Sequence, residues 1–165
     1  MATKRKSSPK RKAKRPVGRA PRAAKQTVPR PYKRKEPESF RARSVTPSLT
    51  VSDLQRSIGW YQGQLGFTVA SRWEDSGHPR GVELAAGGTR LMLNQDDWSK
   101  GRDREKGAGV RLWFGTIQDI DQLAAEITSR GGALDYAPRV MPWGDRTFAI
   151  TDPDGYHLTF TQLKR

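Results

Sequence analysis

The side chains that could make or break bonds are few in this chain, and their spacing narrows the chemistry. Histidine occurs only at His78, in a loop flanked by glycine and proline, and at His157. Cysteine is absent, so there is neither a thiolate nucleophile nor a disulfide framework. Asp152 and Asp154 could pass for an acid–base pair. They stand, however, in Asp152-Pro153-Asp154-Gly155, where Asp first, Pro second and Gly fourth specify a type I turn. Turn chemistry accounts for both carboxylates. Gly87-Gly88 reads as a hairpin turn, with no helix after it to offer an anion-binding N-terminus. No nucleophile–base pairing is visible. Five tryptophans stand out besides: Trp60, which sits beside a helical apolar stripe and reads as structural, and Trp73, Trp98, Trp113 and Trp143. Apolar walls with a few oriented polar groups are what a small-molecule site needs.

The elements that must position these residues follow a regular order. Strands are expected near 47–51, 67–73, 81–86 and 89–94, with a helix over 53–65 after the first. That helix is capped by Ser52 or Asp53, carries Leu54, Ile58, Tyr61 and Leu65 on one face, and ends at Gly66. A polar connector, Gln95 to Ala108, is expected to be mobile. The cycle then repeats with a strand near 110–117 and a helix from Asp119 that buries Ile120, Leu123 and Ile127. Gly131-Gly132 stops that helix, and strands follow near 133–141, 146–151 and 156–162. Two βαβββ modules, about 46–97 and 109–163, make an α+β fold, because three consecutive strands follow each helix.

Two segments carry more than their secondary structure. Val51-Ser-Asp-Leu-Gln-Arg-Ser-Ile-Gly-Trp-Tyr-Gln-Gly-Gln-Leu-Gly-Phe67 and Asp152-Pro-Asp-Gly-Tyr-His-Leu-Thr-Phe160 stand in order, some ninety residues apart. Together they resemble the opening and closing motifs of the glyoxalase / bleomycin-resistance / extradiol-dioxygenase (vicinal oxygen chelate) superfamily. The resemblance implies a curved sheet of both modules around a ligand-binding cup, and a homodimer. It also implies where metal-dependent members keep their His and Glu ligands: at Thr46, Met92, Leu112 and Thr159, each within about a residue. None of these four is a good ligand for a hard divalent ion, so neither metal nor other cofactor is expected.

Without a metal, the cup resembles that of the antibiotic-binding branch, which sequesters a molecule instead of transforming it. The candidate ligand-binding residues are Trp73, Arg90, Met92, Asn94, Trp113, Trp143, His157 and Thr159. Arg90, Met92 and Asn94 share one face of their strand, and His157 shares a face with Thr159. An aromatic or cationic molecule is the expected kind of ligand. The plainer alternatives are a solvated strand face for Arg90, a half-exposed strand residue for His157, and core or dimer packing for the tryptophans.

Charge divides the chain in two. Residues 1–44 hold 17 of the 31 Lys and Arg but only Glu36 and Glu38, a net of +15, whereas residues 45–165 carry a net of −1. Six prolines interrupt residues 1–44, and beyond Met1 only Val17, Val28, Tyr32 and Phe40 are sizeable apolar residues there. Such a composition cannot offset the ordering entropy, so a disordered tail over 1–45 is expected before a domain at 46–165. The basic clusters are Lys4-Arg5-Lys6, Lys10-Arg11-Lys12 with Lys14-Arg15, and Lys33-Arg34-Lys35. Their spacing by Pro, Ala and Ser resembles linker-histone tails, which implies DNA or RNA as partner through phosphate neutralisation without base reading. A solubilising extension or an address signal is the alternative.

No apolar run approaches a membrane span, and the N-terminus lacks the hydrophobic segment of a secretory signal. A cytoplasmic, nucleoid-associated protein without membrane contact is therefore expected. Three functional readings stand side by side. One is a metal-free small-molecule binder with a nucleic-acid-tethering tail. Another is a superfamily enzyme (lyase, isomerase or dioxygenase) with an atypical site. The third is a nucleic-acid-binding protein that uses the domain only to dimerise.

Overall fold

The computed structural model describes residues 42–163. Their order is β1 (Ser48–Val51), α1 (Leu54–Gly63), β2 (Thr68–Asp75), β3 (His78–Ala86) and β4 (Thr89–Gln95), then β5 (Arg111–Thr116), α2 (Ile120–Ser129), β6 (Leu134–Val140), β7 (Arg146–Thr151) and β8 (His157–Gln162). This is the βαβββ order read from the sequence, twice. Each module forms one four-stranded mixed sheet, in the order β1-β4-β3-β2 and β5-β8-β7-β6. The basic clusters from Lys4 to Lys35, and the disorder expected of that tail, lie outside the described residues. The β2–β3 hairpin is longer than expected. His78 is the first residue of β3, paired with Asp75, and not a loop residue.

Local signals set the helix ends. The Asp53 side chain accepts from the Arg56 amide at 3.0 Å, and Asp119 accepts from the Asp121 and Gln122 amides at 3.0 and 2.9 Å. Both helices bury their apolar stripes in one common core, in which Val51, Leu84, Leu93, Phe148 and Leu158 are among the most enclosed side chains. A run of ring contacts crosses from one module to the other. Tyr61 meets Phe67 edge-on at 5.6 Å, Phe67 meets Phe114 at 6.2 Å, and Phe114 stacks on Phe160 at 5.1 Å.

The turn at Asp152–Gly155 does more than reverse the chain. The Gly155 amide donates to the Asp152 carbonyl at 3.0 Å, and Gly155 has φ +86°, as the turn requires. Yet Asp154 also reaches across to the other module. Its carboxylate accepts from the Ser52 amide at 2.8 Å and the Ser57 hydroxyl at 3.2 Å, where negative charge suits the N-terminus of α1. Asp152 accepts from the buried Tyr61 hydroxyl at 3.0 Å, and the Tyr156 hydroxyl donates to the Thr50 carbonyl at 3.0 Å. Turn chemistry therefore accounts for only part of what these carboxylates do. They clasp the two modules.

The connector after β4 differs from the expected mobile segment, because buried charge ties it down. The Asp96 carboxylate, almost fully enclosed, accepts from Lys106 and Arg104, each at 3.0 Å. Hydrogen bonds from Lys106, then Arg104 and the Trp98 amide, hold its carboxyl well below the ordinary carboxylate range. Trp98 adopts φ +60°, and its ring lies under Arg102 at 5.0 Å and Lys106 at 4.7 Å. Gly107 then presses on the clasp turn: a Cβ there would lie 1.9 Å from the Gly155 carbonyl oxygen. Gly107→Ala should therefore push the connector off the turn and cost about 1–3 kcal/mol. Gly88→Ala, with open space around it, should cost a few tenths at most. Chemical denaturation of both variants checks this, and equal midpoints would refute it.

Candidate functional site

The faces of the two sheets turned away from the core carry the residues of interest. On the second sheet, register places Arg111, His157 and Thr151 in one row, and Trp113, Thr159 and Ala149 in the next. Their neighbours Leu112 and Phe114 point the other way and pack against the core. On the first sheet, Ser48, Met92 and Glu83 form a row beside Thr50, Asn94 and Gly81. Trp73 lies over Gly81, where any Cβ would collide with the indole at 2.3 Å. Asn94 donates to the Ser48 hydroxyl at 2.6 Å.

Between the edge of β5 and the start of β1 and β4 lies an open cleft of about 580 Å³. Thr46, Arg90, Arg111 and Trp113 are among its lining residues. Trp113 is 53% exposed and Trp143 58%, values high for indoles, and their rings stand 6.3 Å apart at a tilt of 49°. Of the expected site residues, the structure thus brings Arg90 and Trp113 to one cleft, with Trp143 against Trp113 and Thr159 in the adjoining strand. Met92, Asn94 and Trp73 occupy the open face of the first sheet instead, and His157 sits one row from Thr159.

His157 belongs to a polar line across three strands. The Thr151 hydroxyl donates to Asp135 at 2.8 Å, so its oxygen is left to accept from His157 Nδ1 at 2.9 Å. That contact places a proton on Nδ1, and no described residue pairs with Nε2. Sequence reading missed Arg111 as a cleft residue. The signal was present, since Arg111 and Trp113 are two apart on one strand and must share a face.

Residues 43–160 match the profile of the Glyoxalase/Bleomycin resistance protein/Dioxygenase superfamily. The chain belongs to that superfamily. Among its relatives is a bleomycin resistance protein of Geobacillus stearothermophilus, 29% identical, with 70% of this chain and 93% of that protein covered. The fold is also that of TioX from Micromonospora sp. ML1, with TM-score 0.60 and 21% identity over 73% of this chain and 98% of TioX. A superfamily member from Sphaerobacter thermophilus is 27% identical, with TM-score 0.57 over 74% of this chain and 98% of that one.

Membership in the superfamily raises the question of a metal, and the donor chemistry answers it. The expected β5 position, Leu112, faces the core; the residue opposite Thr159 is Trp113. Strand alternation, with the β5–β8 register, therefore moves that position by one residue. Threonine at 46 and 159, methionine at 92 and tryptophan at 113 do not fit a hard divalent ion. Among the described residues, no three His, Cys, Asp or Glu side chains converge as a metal site would require.

Proposed function

We propose that this superfamily domain binds a small organic molecule in the cleft at Trp113 without a metal, and that residues 1–44 tether it to nucleic acid. The observation that carries the first part is the exposed Trp113–Trp143 pair, with Trp113 lining an open cleft. A relative named as a bleomycin resistance protein supports binding of an organic molecule. The tail's +15 charge supports the second part. Exposed Ile117 and Val140, apart from the tryptophan pair, supply apolar surface for a homodimer. A cytoplasmic protein held at the nucleoid is the corresponding location.

Tryptophan fluorescence tests the binding reading. A library of planar aromatic molecules should contain ligands that quench it, and Trp113→Ala should weaken the best of them by about 1–3 kcal/mol. A broad screen with neither quenching nor thermal shift would leave the domain as a dimerisation platform. One observation favours the enzyme reading as a second choice. His157 Nε2 has no partner among the described residues and stands open to a substrate proton donor or acceptor. Loss of turnover in His157→Gln, with binding retained, would raise that reading above sequestration.

A further inference from the structure

We infer that the cleft selects an aromatic anion, a planar ring system bearing a carboxylate, sulfonate or phosphate, over a cation. This inference rests on the small-molecule reading above and deepens it. Among the described residues, Arg90 and Arg111 are the only charged side chains that line the cleft, and no carboxylate does. The two guanidiniums are not equivalent. Arg90 donates to the Gly87 and Thr89 carbonyls at 3.2 and 3.1 Å and stands 4.0 Å from Glu83, so its donors are already engaged and a carboxylate is at hand. Arg111 makes no hydrogen bond or ion pair to any described residue, and it shares a strand face with Trp113. A ring stacked on Trp113 would thus lie beside a guanidinium that no described residue compensates, with five donors in a fixed fork. That geometry favours an oxyanion and repels an ammonium, and a like charge held against Arg111 is a penalty that stacking has to overcome. The expectation of a cationic ligand, drawn from tryptophans alone, leaves this arginine out.

The test uses the full chain and three probes that share one ring: 2-naphthoate, neutral 2-naphthamide and 2-naphthylmethylammonium. The readout is the Trp113 indole N–H resonance, assigned by its loss in Trp113→Phe, titrated at fixed salt. Naphthoate should bind tightest and the ammonium weakest. Arg111→Gln should weaken naphthoate roughly 10- to 100-fold, the scale of a lost charge-assisted contact, and change the amide less than twofold. Anion gathered by the basic tail cannot imitate this, because it neither moves the Trp113 resonance nor responds to Arg111→Gln. Equal or tighter ammonium binding at Trp113, or naphthoate affinity unchanged by Arg111→Gln, overturns the charge selection and leaves the small-molecule reading standing. No shift of the Trp113 resonance with any probe at millimolar concentration overturns both.

Discussion

Asp152→Ala should lower the unfolding free energy by about 3–4 kcal/mol, more than any single truncation on the outer strand faces. Asp152 accepts from three donors, the Tyr61 hydroxyl at 3.0 Å and the Asp154 and Tyr156 amides at 2.9 Å each. Truncation leaves all three without a partner in a place where Tyr61 is fully enclosed. The geometry, more than the charge, is what matters. Burial pushes the Asp152 carboxyl above its ordinary range and outweighs the amides and Tyr61 that would lower it. Burial, with Asp152 beside it, also pushes the Tyr61 hydroxyl up, so it remains a donor. Asp152→Asn keeps one acceptor oxygen and should cost only about 1–2 kcal/mol; Tyr61→Phe should cost a similar amount.

The pH dependence carries a sign. A raised folded-state pKa means that the folded protein takes the proton first, so acid adds to wild-type stability through this group. The gap between wild type and Asp152→Asn should therefore widen as pH falls through the folded pKa toward the ordinary carboxylate value. Asp96 behaves oppositely: its contribution is present above the ordinary carboxylate value and is lost as pH falls toward its depressed one. Urea titrations of wild type and the Asp152 variants from pH 7 to pH 4 read the first effect, and titrations of wild type below pH 4 read the second. An Asp152→Ala midpoint within error of wild type would mean that the clasp carries no stability.

Much of this clasp was hidden in the sequence, although the elements it joins were not. Caps at Asp53 and Asp119, and alternation in β7 and β8, are signals confined to a few residues, and they placed the elements to within a few residues. Asp154 meets Ser52 across 102 positions, and no local pattern encodes that distance. The turn motif explained the two aspartates so completely that a second role had no residual signal. The connector misled for a related reason. Its Asp, Lys and Arg content reads as solvated, and only the fold shows Asp96 and Lys106 enclosed together. In β5, apolar side chains on both faces obscure alternation. The choice between Leu112 and Trp113 at the open face needed the pairing with β8.

The other large effect concerns the tail, which holds 17 basic residues. The full chain should bind duplex DNA without base preference and with steep salt dependence. Seventeen cationic side chains on one segment can reach about 6–10 phosphates at once, and each neutralised phosphate releases condensed counterion. Affinity should then fall with a log–log salt slope of roughly −5 to −9, and by about 10³–10⁵ between 50 and 200 mM salt. Random and AT-rich duplexes should differ little, since contacts to phosphate carry no base information. A fragment spanning 45–165, at net −1, should lose nearly all of this binding and keep a thermal midpoint within a few degrees, because the first 44 residues offer few apolar side chains and the core of the described residues begins at Leu49. Arg111 sharpens the contrast. A fragment that still bound single strands through Trp113 would do so weakly and would lose that binding in Arg111→Gln, whereas tail binding would be indifferent to it. Anisotropy titrations at three salt concentrations, on both chains, separate these contributions. Equal affinity for the fragment, or a flat salt response, would return the tail to the role of spacer or address signal.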